Sequence, residues 1–182
     1  MPGAGNIVVD NTVFTKLLSM NSIGQVIFNQ ALDLGAGGNI LFGVDVKLIT
    51  NGVTGSITTS TNNQGTLIIQ SGNVNGMIGA NSSLKLVNIE ANPVTFSDNV
   101  FAPVALNNNG SILTLSDGVT LTGVVTTTPG DDSGKLIFAD GGTVTGSVGA
   151  NRAALEEIIF NGINIQDVAD AIADVTTAWI SR

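Results

Sequence analysis

The chain is written in short runs. Val, Ile, Leu and Thr gather in stretches of three to six, and Gly, Asn, Ser or Asp separate one stretch from the next. Several stretches alternate with period two. In Val119-Thr-Leu-Thr-Gly-Val-Val125, positions 119, 121 and 125 share one face and Thr120 and Thr122 take the other. That is the signature of strands with one buried face. A helical spacing appears only at the end, where Val168, Ile172, Val175 and Trp179 fall at i, i+4, i+7 and i+11. Asp167, Asp170 and Asp174 lie off that face, and Asp167 suits a helix N-terminus.

The runs repeat. Gly65-Thr-Leu-Ile-Ile-Gln-Ser-Gly72 matches Gly134-Lys-Leu-Ile-Phe-Ala-Asp-Gly141, with Gly110-Ser-Ile-Leu-Thr-Leu-Ser-Asp-Gly118 in the same set and Gly38-Asn-Ile-Leu-Phe42 a weaker member. A second unit follows: Val53-Thr-Gly-Ser-Ile57, Val74-Asn-Gly-Met-Ile78, Leu121-Thr-Gly-Val-Val125 and Val144-Thr-Gly-Ser-Val148. A third run is Leu84-Lys-Leu-Val-Asn-Ile89 and Leu155-Glu-Glu-Ile-Ile-Phe160. From 53 to 74 is 21 residues, from 74 to 121 is 47, and from 121 to 144 is 23. The long interval reads as two periods with one degenerate coil, Val94-Thr-Phe96 and Val104-Ala-Leu106 being its remnants.

Three strands per period of roughly 21–24 residues describe one coil of a solenoid. The expected fold is all-β, a three-sided parallel β-helix of about seven coils, forming a rod roughly 35 Å long. The usual crossover chirality makes it right-handed. Residues 1–165 form the repeat domain, most regular over 38–162, and Ile7 to Leu34 read as degenerate first coils. Residues 166–182 read as a helix capping the open end, with docking to a partner as the alternative. Gly76 and Gly146 hold equivalent places, where a side chain would disturb the stacking. The competing fold is an antiparallel β-sandwich with hairpins at sites such as Asn109-Gly110.

Composition narrows the chemistry. Six Lys and Arg against 14 Asp and Glu give a net charge of −8, and Cys, His and Tyr are all absent. Disulfide scaffolds, zinc sites and His- or Cys-based triads therefore fall away. Scattered cations argue against nucleic acid. The mean hydropathy is +0.38, yet no apolar run is long enough for a transmembrane helix, and seven Phe and one Trp make poor aromatic girdles for a barrel. No direct membrane insertion is expected. The start, Met-Pro-Gly-Ala-Gly-Asn, lacks the features of a signal peptide. Charged residues are only 11%, as expected where stacked copies would bring like charges together.

Some β-helices cleave polysaccharides with carboxylates. Here the pairs are Asp131-Asp132, placed in turn chemistry between Thr-Pro-Gly and Ser-Gly, and Glu156-Glu157, which as strand neighbours should point apart. Gly35-Ala-Gly-Gly-Asn-Ile-Leu-Phe-Gly43 has the outline of a calcium-binding nonapeptide but lacks its Asp and is not tandem. Phe96, Phe101, Phe138 and Phe160 read as core stacking rather than a binding stripe. No catalytic residue, metal ligand or cofactor is expected. Outward Thr and Asn rows suit either a flat partner or plain solvation.

The stretch Gly65-Thr-Leu-Ile-Ile-Gln-Ser-Gly-Asn-Val-Asn-Gly-Met-Ile-Gly-Ala-Asn81, with its counterpart Gly134 to Asn151, resembles the passenger-domain repeats of rickettsial surface cell antigens, chiefly outer membrane proteins A and B. The likeness covers roughly residues 38–162. It implies a β-helix displayed on the bacterial surface as an autotransporter passenger, a virulence factor that attaches to a host-cell protein or glycan. The family lends no catalytic residues. This chain departs from the family plan in lacking a signal peptide and a translocator barrel, so it reads as a fragment. A spacer that binds nothing is the second expectation, and a polysaccharide-active enzyme the third.

Overall fold

The computed structural model describes residues 5–162. Within them the chain winds through twenty strands, numbered in chain order, that fall on three sides of a triangular coil. The first side stacks β1 (Asn6–Val9), β3 (Gln25–Phe28), β6 (Lys47–Thr50), β9 (Gln64–Ile69), β11 (Leu84–Ile89), β14 (Val104–Leu106) and β17 (Val125–Thr127). The second stacks β4 (Leu32–Asp33), β7 (Val53–Thr54), β10 (Gly72–Asn75), β12 (Pro93–Phe96), β15 (Ile112–Leu115), β18 (Lys135–Phe138) and β20 (Glu157–Phe160). The third holds β2 (Leu17–Met20), β5 (Asn39–Phe42) and β8 (Ser56–Thr59), then β13 (Val100–Phe101), β16 (Thr120–Thr122) and β19 (Thr143–Val144). Ile78 bridges Ile57 and Val100 and joins these two groups. Every ladder between named strands is parallel. The protein is a parallel β-helix of about seven turns, and the β-sandwich alternative is excluded. The expected helix over 166–182 lies outside the described residues.

The core is a set of columns. On the third side Leu18, Ile40, Ile57, Ile78, Val100, Leu121 and Val144 stand in register, one per turn. On the second the column runs Leu32, Val53, Val74, Phe96, Leu115, Phe138 and Phe160. The middle members of each are fully buried. Period-two alternation is what makes this possible, because each strand sends every second residue inward. The polar residues that enter the core close their hydrogen bonds at corners. Thr50 Oγ1 donates to the Gly52 carbonyl at 3.1 Å, and Ser111 Oγ to the Ile89 carbonyl at 2.9 Å. Among the described residues no buried side-chain polar atom lacks a partner.

The repeats occupy different sides from turn to turn. Gly38–Phe42 lies on the third side, Gly65–Ile69 on the first, and Ile112–Leu115 and Lys135–Phe138 on the second. Val53–Ile57 and Val74–Ile78 turn from the second side to the third, whereas Leu121–Val125 and Val144–Val148 turn from the third to the first. The 47 residues between Val74 and Leu121 therefore make two turns plus one side. No coil there is degenerate: Val94–Phe96 and Val104–Leu106 belong to β12 and β14, in register with their neighbours. The repeated motif is a corner with its flanking strands, and the triangle has three corners of similar demand. The first turns are also regular, since β1 pairs with β3 over four residues and β2 with β5 over four.

At the corner between the third and first sides, Ala102, Gly123 and Gly146 stack because Val100, Leu121 and Val144 do. A Cβ on Gly146 would strike the Gly123 carbonyl, and one on Gly76 would strike the Gly55 carbonyl. Backbone is what resists here, so the neighbour has no rotamer to yield. Gly76→Ala should cost about 1–3 kcal/mol, a fall in melting temperature of roughly 3–10 °C for a domain this size. Gly146→Val should destabilise at least as much. Thr145→Ala, one residue away and exposed, should change stability by no more than about 0.5 kcal/mol. Scanning calorimetry of the three variants checks this, and equal melting temperatures would contradict the stacked corner.

Candidate functional site

The outward residues form rows of their own. On the first side one row runs Val8, Ile27, Ile49, Ile68, Asn88, Ala105 and Thr126. Beside it, on the same face, stand Gln25, Lys47, Thr66 and Leu86. Ile27, Ile49 and Ile68 are half-buried, so an apolar strip reaches solvent beside Gln25 and Lys47, while Thr66 in the next turn is buried. The third side is more polar outside, with Asn39 and Ser56 in one register and Thr58 in the next. Asn39 Nδ2 donates to Thr58 Oγ1 at 3.1 Å across one turn.

A shallow groove of about 340 Å³ opens at the edge of the first side, lined by Asn6, Gln25, Asp45, Lys47, Thr66 and Lys85. Lys85 Nζ donates to Asp45 Oδ2 at 2.6 Å, and the Gly65 N–H donates to Asp45 Oδ1 at 3.2 Å. The two contacts tie three successive turns together through one carboxylate. Asp45 titrates below the usual carboxylate range, chiefly because Lys85 donates to it; partial burial opposes this, and the Gly65 N–H and the charges of Lys85 and Lys47 add to it. The Lys47 ammonium makes no hydrogen bond or ion pair with any described residue. The groove thus offers one ammonium for a ligand, with amide and hydroxyl groups beside it. Asp45, Gly65 and Lys85 are each 20 residues apart, so the solenoid period was the signal that could have found this cluster, and sequence reasoning passed over it.

Asp131 and Asp132 occupy an exposed turn. Asp131 Oδ1 accepts from the Ala154 N–H at 3.0 Å, and Asp132 has a left-handed φ of 57°. Glu156 and Glu157 do not point apart as expected. Both reach Lys135 Nζ, at 3.1 and 2.8 Å, because Glu156 precedes β20 and is free of its alternation. The two bonds, first that to Glu157, push the Lys135 pKa up. Phe96 and Phe138 are core residues, and Phe160 stacks on Phe138 with centroids 5.1 Å apart and rings 11° from parallel. Phe101 departs from that reading: it pairs with exposed Thr122 and lies half-buried on the outer face. In the Gly35 loop the Gly35 N–H donates to Asp33 Oδ1 at 2.9 Å, which closes a turn between the second and third sides. Among the described residues no three acidic side chains gather as a metal site would need, and no helix is long and apolar enough to cross a membrane.

Comparison with known proteins returns no matching family model, no matching curated protein and no matching solved structure.

The Asp45–Lys85 pair makes a pH prediction. A depressed carboxyl stabilises the fold above its unfolded value of about 3.9, and that contribution is lost as pH falls through the lower folded value. Both partners are well exposed, so the effect is at most about 1 kcal/mol. In an NMR titration of the carboxyl carbons, Asp45 should titrate below its unfolded value, and Lys85→Ala should return it toward about 3.9. A titration that Lys85→Ala leaves unmoved would remove the ion pair from the groove.

Proposed function

We propose that this protein is a non-catalytic adhesin: a β-helix passenger segment of a surface autotransporter that attaches the bacterium to a host-cell protein or glycan. The observation that carries the reading is the first side, where Ile27, Ile49 and Ile68 stand in a row beside Gln25, Lys47 and Thr66 on consecutive turns. A flat sheet with apolar and polar rows side by side suits a broad partner better than a small molecule, which prefers a concave, enclosed site. Parallel ladders hold the rows at a spacing of about 4.8 Å, so contacts add along the rod with little ordering cost in the protein. The resemblance of the repeats to rickettsial surface cell antigens supports the same reading and supplies its cellular setting, the bacterial outer surface.

Labelled chain should bind cultured mammalian cells saturably, above an acidic control protein of similar size and charge. Lys47→Ala together with Ile49→Ser should weaken that binding by about tenfold, equivalent to about 1.4 kcal/mol, with the circular dichroism unchanged. Binding no greater than the control would overturn the adhesive role and leave a spacer that projects other segments outward.

A further inference from the structure

Four Asn-Gly pairs occur in the chain, at 51, 75, 109 and 161. In such a pair no side chain on the glycine keeps its backbone nitrogen away from the asparagine carboxamide. Of the three pairs whose flanks are both described, two are held fast. The Asn51 side chain is tied at both ends: its amide donates to the Asn29 carbonyl at 2.8 Å, and its Oδ1 accepts from Ser71 Oγ at 3.4 Å. Asn75 lies in β10, paired with Thr54, and its carbonyl accepts from the Gly55 N–H at 3.0 Å. Gly76 packs directly on the Gly55 carbonyl. The third pair is different. Asn109 and Gly110 are exposed and lie outside every strand, in the turn between β14 and β15. The Ser111 N–H donates to the Asn108 carbonyl at 3.0 Å, which leaves Asn109 and Gly110 as the two central residues of that turn. Neither the Gly110 N–H nor the Asn109 side-chain amide makes a hydrogen bond with any described residue. Only the carboxamide oxygen is held. The buried Ser133 Oγ stands 3.1 Å from Asn109 Oδ1 and 3.3 Å from the Asp131 carbonyl.

We propose that Asn109 is a self-modifying site, converted by water to aspartate and isoaspartate without an enzyme. The inference is independent of the adhesive reading. The Gly110 nitrogen gives its proton to hydroxide and attacks Asn109 Cγ. The Cγ–Nδ2 bond breaks, and Nδ2 takes a proton from water and leaves as ammonia. Negative charge gathers on Oδ1 during the attack, where the Ser133 hydroxyl is placed to donate. Nucleophile and leaving group are both unencumbered, whereas at Asn51 the leaving amide is bound to Asn29. Water then opens the five-membered imide. Opening at Cγ gives aspartate. Opening at the backbone carbonyl carbon gives isoaspartate, whose main chain runs through Cγ and is one methylene longer. Either product adds a carboxylate to a corner that already exposes Asp131 and Asp132. Isoaspartate also turns the Asn109 carbonyl, which accepts from the Gly134 N–H at 3.4 Å, into a free carboxylate, and so loosens a tie between successive turns.

The full chain, held for weeks at mildly alkaline pH, should gain at Asn109 the mass of an amide-to-acid exchange. Tandem mass spectrometry of its peptides should show this about tenfold faster at Asn109 than at Asn51 or Asn75. A protein isoaspartyl methyltransferase should label the same peptide, which direct hydrolysis of the side chain would not allow. Gly110→Ala should keep the fold, since the added Cβ would meet only the Ala91 carbonyl, at 3.4 Å. It should slow the change about tenfold, because the methyl group crowds the attacking nitrogen. Ser133→Ala, with unchanged circular dichroism, should slow it by a smaller factor. Equal rates at the three asparagines overturn the proposal. So does a Gly110→Ala rate equal to the wild type, and so does a product free of isoaspartate. A Ser133→Ala rate at or above the wild type overturns the part given to the hydroxyl.

Discussion

Everything in this molecule depends on one register. Each strand lies parallel to its copy one turn earlier, and the ladder between them fixes which side chain stands on which. The inward columns, the outward rows and the corner stacks are three readings of that alignment. A shift by one residue would reverse every strand, bringing Leu67 out and Ile68 in. The columns prevent it, because burying Val, Ile and Leu in fully excluded positions along three sides is worth about 1.5–3 kcal/mol per side chain. The polar groups follow from the same geometry. The Asn51 amide donates to the Asn29 carbonyl and the Asn92 amide to the Gln70 carbonyl, so the corner between the first and second sides is tied by side chains as well as backbone. Farther along, Glu90 accepts from the amides of Asn107 and Asn108.

A solenoid of this kind has no distant contacts to knit it into a globule. Each turn touches the turns before and after it, so stability is close to a sum of neighbouring interfaces. Among the described residues the middle turns gain two such interfaces and the first turn one. That arithmetic is visible in the burial of equivalent residues: Leu48 and Leu67 are sealed, whereas Ile7 in the same column is open. Charge is sparse for a related reason. Where ion pairs form among the described residues, the partners sit one or two turns apart, as in Lys85 with Asp45 and Lys135 with Glu157, so that the ladder places opposite signs together.

The fold was legible because its physics is local and repeated. Alternation in Val119–Val125 marks the inward residues correctly, and Gly76 and Gly146 stand out as places where backbone passes backbone. What the chain did not disclose is phase. The eye aligns Gly65–Ile69 with Gly134–Phe138 by likeness, although one lies on the first side and the other on the second. Likeness reports the demands of a strand and its corner, which all three sides share. The groove escaped notice for another reason: Asp45 and Lys85 are unremarkable residues until a period of 20 is laid on the sequence. The divergence expected of Glu156 and Glu157 failed at a strand end, where one residue more or less decides whether alternation applies.

The wandering of Val-Thr-Gly-Ser-Ile57 and its relatives from one corner to another has a structural meaning of its own. The unit of length in this rod is a side and not a full turn. A chain assembled in such units can lose or acquire one and still close its ladders. Every surface mark beyond the change is then swung about the long axis by a third of a revolution. Rows that lay on one flank before the change continue on the next, and a rod of fixed cross-section can present different flanks along its length.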